Sequence, residues 1–330
     1  MYLVSILVPV YKVENYIERC ARSLFEQSYQ EIEYVFIDDC CPDNSIKILE
    51  QLIEEYPQRK NMVKIIHHEK NKGLAAARNT AIEHARGLFL SHVDSDDYLE
   101  KNAIELLVEE QIKGDYDIVS GNAVQHFIDK DELIKEPICD NKDKWLKELL
   151  RYDNIYNHSI WRRIIRRTLY SEHNIKTIEG CNQGEDWQVM PKLAYYMKSF
   201  STVDAVVYNY DCTNQNSHMS NLGKANVNLW KQDVGSIKEI VRFFNDKEID
   251  YLNRAQDIAL YTMNTYLHLS AKYGERDFFD FLVAEMKGYK SRYNTIGWNN
   301  LVKRNFRQCF TLMMAFYKTR SWVWGVLKDY

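Results

Sequence analysis

Glycine and proline are scarce in this chain, which has 12 Gly and 5 Pro among its 330 residues. Because both residues interrupt regular structure, their scarcity favours long helices and disfavours a sandwich of short strands. The sequence also lacks GxGxxG and GxxxxGKS/T, the glycine-rich loops that bind phosphate through backbone amides. A phosphate-bearing ligand would therefore have to be bound through side chains and a metal.

Disulfide frameworks and membrane spans are not expected either. The chain has 7 cysteines, an odd number, and no CxxC spacing, so we expect reduced thiols and a cytoplasmic protein. No apolar run approaches the ~18 residues that a membrane span needs. The first residues, MYLVSILVPV, lack the basic start of a signal peptide and are predicted to form a strand.

The stretch Gly87–Leu99, with the sequence GLFLSHVDSDDYL, joins an apolar run to a cluster of acids. The run is typical of a buried strand, and three carboxylates follow it: Asp94, Asp96 and Asp97. Open α/β sheets bind ligands beyond the carboxyl ends of their strands, so clustered acids there indicate a divalent cation, Mn²⁺ or Mg²⁺. The alternative is an acidic turn that caps the following helix.

Strands and helices alternate through the first hundred residues. The predicted strands there are Leu3–Val10, Ile32–Ile37, Met62–His67 and Leu88–Val93, with an amphipathic helix between each pair. This order predicts an α/β fold with a doubly wound, mostly parallel sheet.

The rest of the chain has a different pattern. Residues 116–123 and 200–210 are predicted strands, and the polar residues 129–144 are predicted to form a surface loop. The basic stretch 160–170 favours a solvated face over an element that faces an anionic groove. From Gly223 onward the apolar spacing is helical, and it predicts helices at residues 227–244, 251–271, 278–287 and 298–317. We therefore expect two domains, residues 1–222 and a helical region over residues 223–330.

Five stretches resemble the successive motifs of family 2 glycosyltransferases, which are inverting enzymes with the GT-A fold. They are SILVPVYKVENYIERCARSLFEQSY, EYVFIDDCCPDNS, NKGLAAARNTAI, HVDSDDYL and the later GEDW at residues 184–187. Four of them occur in order between residues 3 and 100, which makes the signal far more specific than DxD alone. The resemblance implies a nucleotide-sugar donor and a role in bacterial cell-surface polysaccharide biosynthesis.

The resemblance also implies donor-binding residues. Pro9 and Tyr11 match the turn that packs on the donor's base, and Arg78 matches an arginine near the diphosphate. Asp39 matches the acid that hydrogen-bonds the base, with Asp38 as its alternative. The implied donor-binding set is Pro9, Tyr11, Glu14, Asp39, Arg78, Asp94 and Asp96.

Most of these residues have ordinary structural alternatives. Pro9 and Tyr11 could be a turn proline and a core tyrosine, and Asp38 or Asp39 could cap the following helix. Glu14 could be a helix-start carboxylate stabilised by the helix dipole, and Arg78 could be a helix-face arginine without a function.

The metal and the catalytic base follow from the same resemblance. Asp97 is predicted as the direct metal ligand, with Asp96 and His218 as further ligands. A lone histidine such as His218 is more often a packing residue. Asp186 matches the general base that deprotonates the acceptor hydroxyl, and Glu185 is its rival within the motif. Alternatively, Asp186 could cap the following helix.

Two departures from the family pattern matter. Cys40 and Cys41 stand where the family commonly has Gly-Ser, which makes the turn after Asp39 less flexible. The chain also lacks the QxxRW motif of processive synthases, so transfer of a single sugar is expected. The expected donor is UDP-linked, and the acceptor is a hydroxyl of a glycan or a polyprenyl-linked saccharide. The alternatives are a non-catalytic sugar-nucleotide or glycan-binding module and a phosphohydrolase.

The last 45 residues, 286–330, contain nine Lys or Arg and one acid, Asp329. Together with their aromatic side chains, these residues could contact the inner face of a membrane, which would fit a peripheral enzyme with lipid-linked acceptors. Packing of the same residues within the helical region is the alternative. No nucleic-acid partner is expected.

Overall fold

The computed structural model describes residues 3–151, 158–214, 226–289 and Thr311. Backbone contacts divide the chain into two compact units. The first comprises residues 1–149 and 154–217, and the second comprises residues 150–153 and 218–330. The domain boundary predicted between Leu222 and Gly223 lies outside the described residues and stays a prediction.

The first unit is built on one mixed sheet. In its described part the strands are β1 (Val4–Val10), β2 (Ile32–Asp38), β3 (Val63–His67), β4 (Phe89–His92), β5 (Tyr98–Leu99), β6 (Ile118–His126), β7 (Asp131–Ile134), β8 (Arg163–Arg166) and β9 (Phe200–Asp211). Their order is β3-β2-β1-β4-β8-β6-β9-β5, and β7 pairs with β6. The first four strands are parallel, β6 is parallel to β9, and β8 is antiparallel to both its neighbours. The α/β prediction is confirmed.

Helices cover this sheet. They are α1 (Ile17–Phe25), α2 (Ser45–Glu55), α3 (Pro57–Lys60), α4 (Leu74–His84), α5 (Ala103–Gly114), α6 (Lys142–Leu149), α7 (Thr168–Glu172) and α8 (Glu185–Tyr196). The even-numbered residues of β1 share one hydrophobic core with the apolar faces of α1 and α5. Since successive strand residues point to opposite faces, the odd-numbered residues of β1 face the other layer.

Helix α4 contacts β1 and β2 through a run of small side chains. Ala75, Ala76, Ala77 and Ala81 are all buried, so the helix backbone approaches the sheet closely. Gly73 precedes the helix with a φ of 87°, and a Cβ there would lie 2.3 Å from the Asn182 side chain. The backbone conformation therefore favours glycine at this position, and a larger residue would also displace the Asn182 side chain.

Two expectations from the sequence are wrong. Residues 129–144 do not form a simple loop, because they contain β7, which pairs antiparallel with β6, and the start of α6. The basic stretch is not a solvated face at Arg162 and Arg163, which are 1% and 0% exposed. Both guanidinium groups pair with the buried Glu136, at 2.9 Å and 3.0 Å. The local pattern of the stretch could not predict this burial, because Glu136 lies 26 residues before Arg162 in the chain.

The second unit is helical in its described part, with α9 (Val227–Phe244), α10 (Ile249–Tyr273) and α11 (Arg276–Met286). Trp230 on α9 is fully buried and contacts the rings of Tyr266 and Phe278 from the other two helices. Apart from Thr311, the helix predicted at residues 298–317 lies outside the described residues, as does most of the basic tail. Within the described ranges, no helix is both long and apolar enough to span a membrane.

Candidate functional site

The carboxyl ends of β1, β2 and β4 meet at one edge of the sheet, because these strands are parallel neighbours. β1 ends at Val10, beside Pro9 and Tyr11, and β2 ends at Asp38. β4 runs directly into residues 94–97. The strand order therefore gathers acids that are 55 or more residues apart in the sequence at one edge of the sheet, as the alternating pattern predicts.

The acidic turn after β4 directs its carboxylates to different sides. Asp94 and Asp96 are partly exposed, whereas Asp97 is 0% exposed. The two oxygens of Asp97 accept hydrogen bonds from the Tyr208 hydroxyl at 2.6 Å and from the Asp211 backbone N–H at 2.8 Å. This placement differs from the metal-ligand role predicted for Asp97, since its carboxylate faces the protein interior. Asp94 and Asp96 reach the open edge.

Arg78 on α4 joins this turn to the start of α8. Its guanidinium lies 2.9 Å from a carboxylate oxygen of Asp94 and 3.3 Å from one of Glu185, and it also pairs with Asp186. The second oxygen of Asp186 accepts the backbone N–H of Ile160 at 3.2 Å. Arg78 is only 3% exposed, so it is a buried cation among three acids and not a free helix-face arginine.

Burial dominates the electrostatics of these acids. Burial raises the pKa of Glu185 to about 8. The Arg78 guanidinium opposes this shift, and the negative charge of Asp186 adds to it. Burial also raises the pKa of Asp186, although the Arg78 guanidinium opposes this shift. Burial and the neighbouring Asp94 raise the pKa of Asp96 to about 6. A carboxyl group with a raised pKa is a stronger base when ionised, as proton abstraction near neutral pH requires.

The turn that follows β1 has an exposed aromatic side chain. Tyr11 is 40% exposed, and Lys12 lies 5.3 Å from its ring centroid. Pro9 lies at the end of β1 and is partly buried. Glu14 accepts hydrogen bonds at 3.1 Å from the backbone N–H and the side-chain amide of Asn44, the residue before α2. Glu14 therefore stabilises the start of α2, whereas the structural alternative predicted from the sequence was the start of α1.

Asp39 is buried, and it fixes the segment that leads into α4. Its carboxylate accepts the backbone N–H groups of Lys72 and Gly73, both at 2.8 Å, and contacts the His68 ring at 2.7 Å. Asp38 instead contacts the His67 ring and accepts the Cys41 N–H, and neither acid caps α2. Oδ1 of Asp39 already has two partners and Oδ2 has one, so a hydrogen bond from a nucleotide base to Asp39 would use Oδ2.

Asp94 and Asp96 fit a divalent cation by the chemistry of their side chains. Both are hard carboxylate donors at the open edge, and burial together with the neighbouring charge of Asp94 raises the pKa of Asp96. Asp96 also accepts from the Asn214 side-chain amide at 2.8 Å. Within the described residues, no group of three His, Cys, Asp or Glu could hold a metal ion by itself. His218, the third predicted ligand, lies outside those residues.

Several residues around the acidic turn were not predicted from the sequence. They are Arg19, which donates to the Asp96 carbonyl and to Asp211, together with Asp211 itself, Asn214 and Tyr208. Asp211 ends strand β9, so the rule that selected the acids after β2 and β4 could have found it. No sequence signal distinguishes Tyr208 from the other 22 tyrosines of the chain.

Comparisons with known proteins agree with this architecture. The chain is 32% identical over 189 residues to the uncharacterized glycosyltransferase EpsJ of Bacillus subtilis, a match that covers 56% of this chain and 54% of EpsJ. The match thus spans about half of that relative's length. Two solved structures share the fold: S. aureus TarS 1-349 in complex with UDP-GlcNAc (TM-score 0.64, 20% identity, 86% of this chain and 80% of that one), and the mannosyltransferase PcManGT from Pyrobaculum calidifontis in complex with GDP-Man and Mn²⁺ (TM-score 0.53, 15% identity, 96% and 84%).

The family model described as Glycosyl transferase family 2 matches residues 5–173. That range is about half of the chain and contains β2, β3, β4 and all but the first residue of β1, together with Arg78 and the acidic turn. The fold and the family expected from the motifs are thereby confirmed, and the chain belongs to glycosyl transferase family 2.

Proposed function

We propose that this chain is an inverting glycosyltransferase that moves one sugar from a UDP-linked donor to a hydroxyl of a glycan or polyprenyl-linked acceptor. The observation that carries the proposal is the position of Arg78 between Asp94 and Asp186. One guanidinium links the acid of the DxD motif to the acid of the Glu-Asp motif, which lies 92 residues later in the chain. Donor phosphates and the acceptor hydroxyl would thus meet around one cation.

Asp186 is the proposed general base. It takes the proton of the acceptor hydroxyl while that oxygen attacks the anomeric carbon, on the face opposite the leaving nucleoside diphosphate. One bond to the anomeric carbon forms as the other breaks, so its configuration inverts. The burial that raises the pKa of Asp186 makes its carboxylate a stronger base. General-base catalysis of this kind typically contributes about 10²–10⁴-fold in rate.

Arg78, Asp94 and Asp96 are the proposed diphosphate side of the site. The planar guanidinium of Arg78 suits phosphate oxygens, and its ion pairs with the acids would loosen as the donor enters. Asp94 and Asp96 would hold Mn²⁺ or Mg²⁺, which supplies Lewis-acid stabilisation of the leaving diphosphate when bound. The Mn²⁺ in the PcManGT complex supports this choice of metal.

Pro9, Tyr11 and Asp39 are the proposed base-binding side. The exposed ring of Tyr11 offers a flat surface for stacking, and Asp39 lies at the end of the neighbouring strand. A UDP-linked donor is supported by the UDP-GlcNAc bound to TarS. A peripheral position at the inner face of the membrane is proposed from the excess of basic residues after residue 286.

The first experiment is binding of UDP, GDP, TDP and CDP to the full chain, measured by thermal shift with Mn²⁺ and with EDTA. A ligand at about 100 times its Kd stabilises the folded state by about 2.7 kcal/mol, which raises the melting temperature by several degrees. We expect such a rise for UDP with Mn²⁺ and none with EDTA. If no nucleoside diphosphate gives a metal-dependent rise, the proposed donor site is wrong.

Catalysis is tested separately, by release of UDP from UDP-sugars in the presence of glycan acceptors. Asp186→Asn should keep the Mn²⁺-dependent UDP shift and lose about 10²–10⁴-fold in rate. Asp129→Asn, at an exposed position on the β6–β7 turn, is the matched control and should transfer at the parent's rate. Equal transfer by Asp186→Asn and the parent would refute Asp186 as the general base, and no transfer by the parent with any UDP-sugar would favour the non-catalytic binding module.

A further inference from the structure

The acidic turn of residues 94–97 is held by strand β9. The Tyr208 hydroxyl donates to Asp97 Oδ2 at 2.6 Å and accepts the backbone N–H of Asp94 at 3.1 Å. The backbone N–H of Asp211 donates to the other oxygen of Asp97 at 2.8 Å. One tyrosine oxygen therefore contacts both ends of the turn.

The opposite side of the turn is held by α1. Arg19 donates to the backbone carbonyl of Asp96 at 2.7 Å and pairs with Asp211 at 2.6 Å. The backbone N–H of Asp97 donates to the carbonyl of Asp94 at 3.0 Å. Most of the backbone of the turn is thus fixed, and its two partly exposed side chains are Asp94 and Asp96.

Tyr208 has little freedom to move. It is 0% exposed, and its ring stacks on that of Trp161 with centroids 4.7 Å apart. Displacing the hydroxyl would disturb a packed aromatic pair as well as two hydrogen bonds. A buried hydroxyl in a fixed place is suited to set the position of a neighbouring backbone.

We propose that Tyr208 and Asp97 are a positioning pair that fixes the spacing of Asp94 and Asp96 for the divalent cation and the donor diphosphate. The proposal rests on the function proposed above and deepens it. The Tyr208 hydroxyl donates its hydrogen bond to Asp97, so the lone pairs of the tyrosine oxygen are available to accept the Asp94 N–H. Residues that support metal-binding side chains typically contribute about 10–100-fold in metal affinity.

The test measures Mn²⁺ binding to the full chain by electron paramagnetic resonance of free Mn²⁺, with and without UDP. The variants are Tyr208→Phe, Asp97→Asn and the double variant. Tyr34→Phe is the matched control, because Tyr34 is also 0% exposed and its hydroxyl donates to the Leu24 carbonyl at 3.0 Å. Both tyrosine variants lose one buried hydroxyl, and only one of them touches the turn.

We expect Tyr208→Phe to weaken Mn²⁺ binding about tenfold, while Tyr34→Phe stays within about twofold of the parent. Asp97→Asn should weaken binding by a similar factor, and the double variant should be no weaker than either single one, because the two residues act as one unit. Melting temperatures of all variants show whether folding accounts for a loss.

Three results would overturn the proposal. Equal Mn²⁺ affinity in Tyr208→Phe and Tyr34→Phe would remove the positioning role. If Asp97→Asn lost all Mn²⁺ binding while Tyr208→Phe kept the parent's affinity, Asp97 would be a direct ligand. If the parent itself bound no Mn²⁺ with or without UDP, the proposed function would fail first, and this outcome is distinct from the other two.

Discussion

The guanidinium of Arg78 lies 2.9 Å from the carboxylate of Asp94, although one residue is on helix α4 and the other is at the end of strand β4. The same guanidinium also pairs with Asp186, 108 residues further along the chain. Arg78 thus joins helix α4 to two other segments, whose three acids would otherwise repel one another.

Replacement of Arg78 separates its charge from its geometry. Arg78→Lys keeps the positive charge and loses the planar guanidinium, so we expect the rate of sugar transfer to fall about 100-fold. Its loss of stability should be smaller than that of Arg78→Ala. Arg78→Ala leaves buried acids without their cation and should cost about 3–5 kcal/mol of unfolding free energy. UDP release and urea denaturation measure the two effects. Arg86→Lys, at an exposed position, is the control, and an equal effect there would contradict the role of Arg78.

The buried Glu185 should contribute a fall in the stability of the metal-free protein as the pH rises from about 5 to 8, opposite in sign to the contributions of His92 and His158, whose pKa values burial lowers. Burial raises the pKa of Glu185 from 4.5 to about 8, so in this range the folded state binds more protons than the unfolded state. Deprotonation therefore favours unfolding. Melting temperatures in EDTA across this range are the measurement. Glu185→Gln should remove this contribution and make the slope of stability against pH less negative than the parent's, and Glu83→Gln, at an exposed site, should leave the parent's slope in place.

Cys40→Gly should stabilise the protein. Cys40 has a φ of 58°, a left-handed conformation that costs a residue with a Cβ about 1–2 kcal/mol, and glycine adopts it freely. The greater flexibility of glycine in the unfolded chain offsets part of the gain, so the net effect should be about 0.5–1 kcal/mol in urea denaturation. Cys41→Gly is the control and should destabilise, since Cys41 is half-buried with an ordinary φ. A loss of stability in Cys40→Gly would refute the explanation.

Glu136 stabilises the buried pair Arg162 and Arg163, whose guanidinium groups lie 2.9 Å and 3.0 Å from its carboxylate. Glu136→Gln removes the anion between two buried cations and should cost about 3–5 kcal/mol. Glu132→Gln changes an exposed residue of the same hairpin and should stay within about 0.5 kcal/mol of the parent. Denaturant unfolding of both variants is the measurement, and similar midpoints would argue against a structural role for Glu136.

Local patterns predicted most of the elements of the described chain, because burial of alternating or helically spaced apolar side chains is decided over a few neighbouring residues. The predicted helix at residues 227–244 has the observed bounds of α9. The β7 hairpin was missed because three of its four residues are exposed, two of them charged, and its pairing partner β6 supplies the hydrogen bonds. Such an edge strand has no apolar pattern of its own.

The sequence by itself determined the α/β order, the family and the gathering of acids at one edge of the sheet, since parallel strands must end on the same side. Only the tertiary structure decided which way each acid faces. Asp97 turns inward because Tyr208 and Asp211, more than 100 residues away, supply donors for both its oxygens. Arg162 and Arg163 are buried because a distant carboxylate compensates their charge. Pairings of this range depend on the packed fold, and no local pattern contains them.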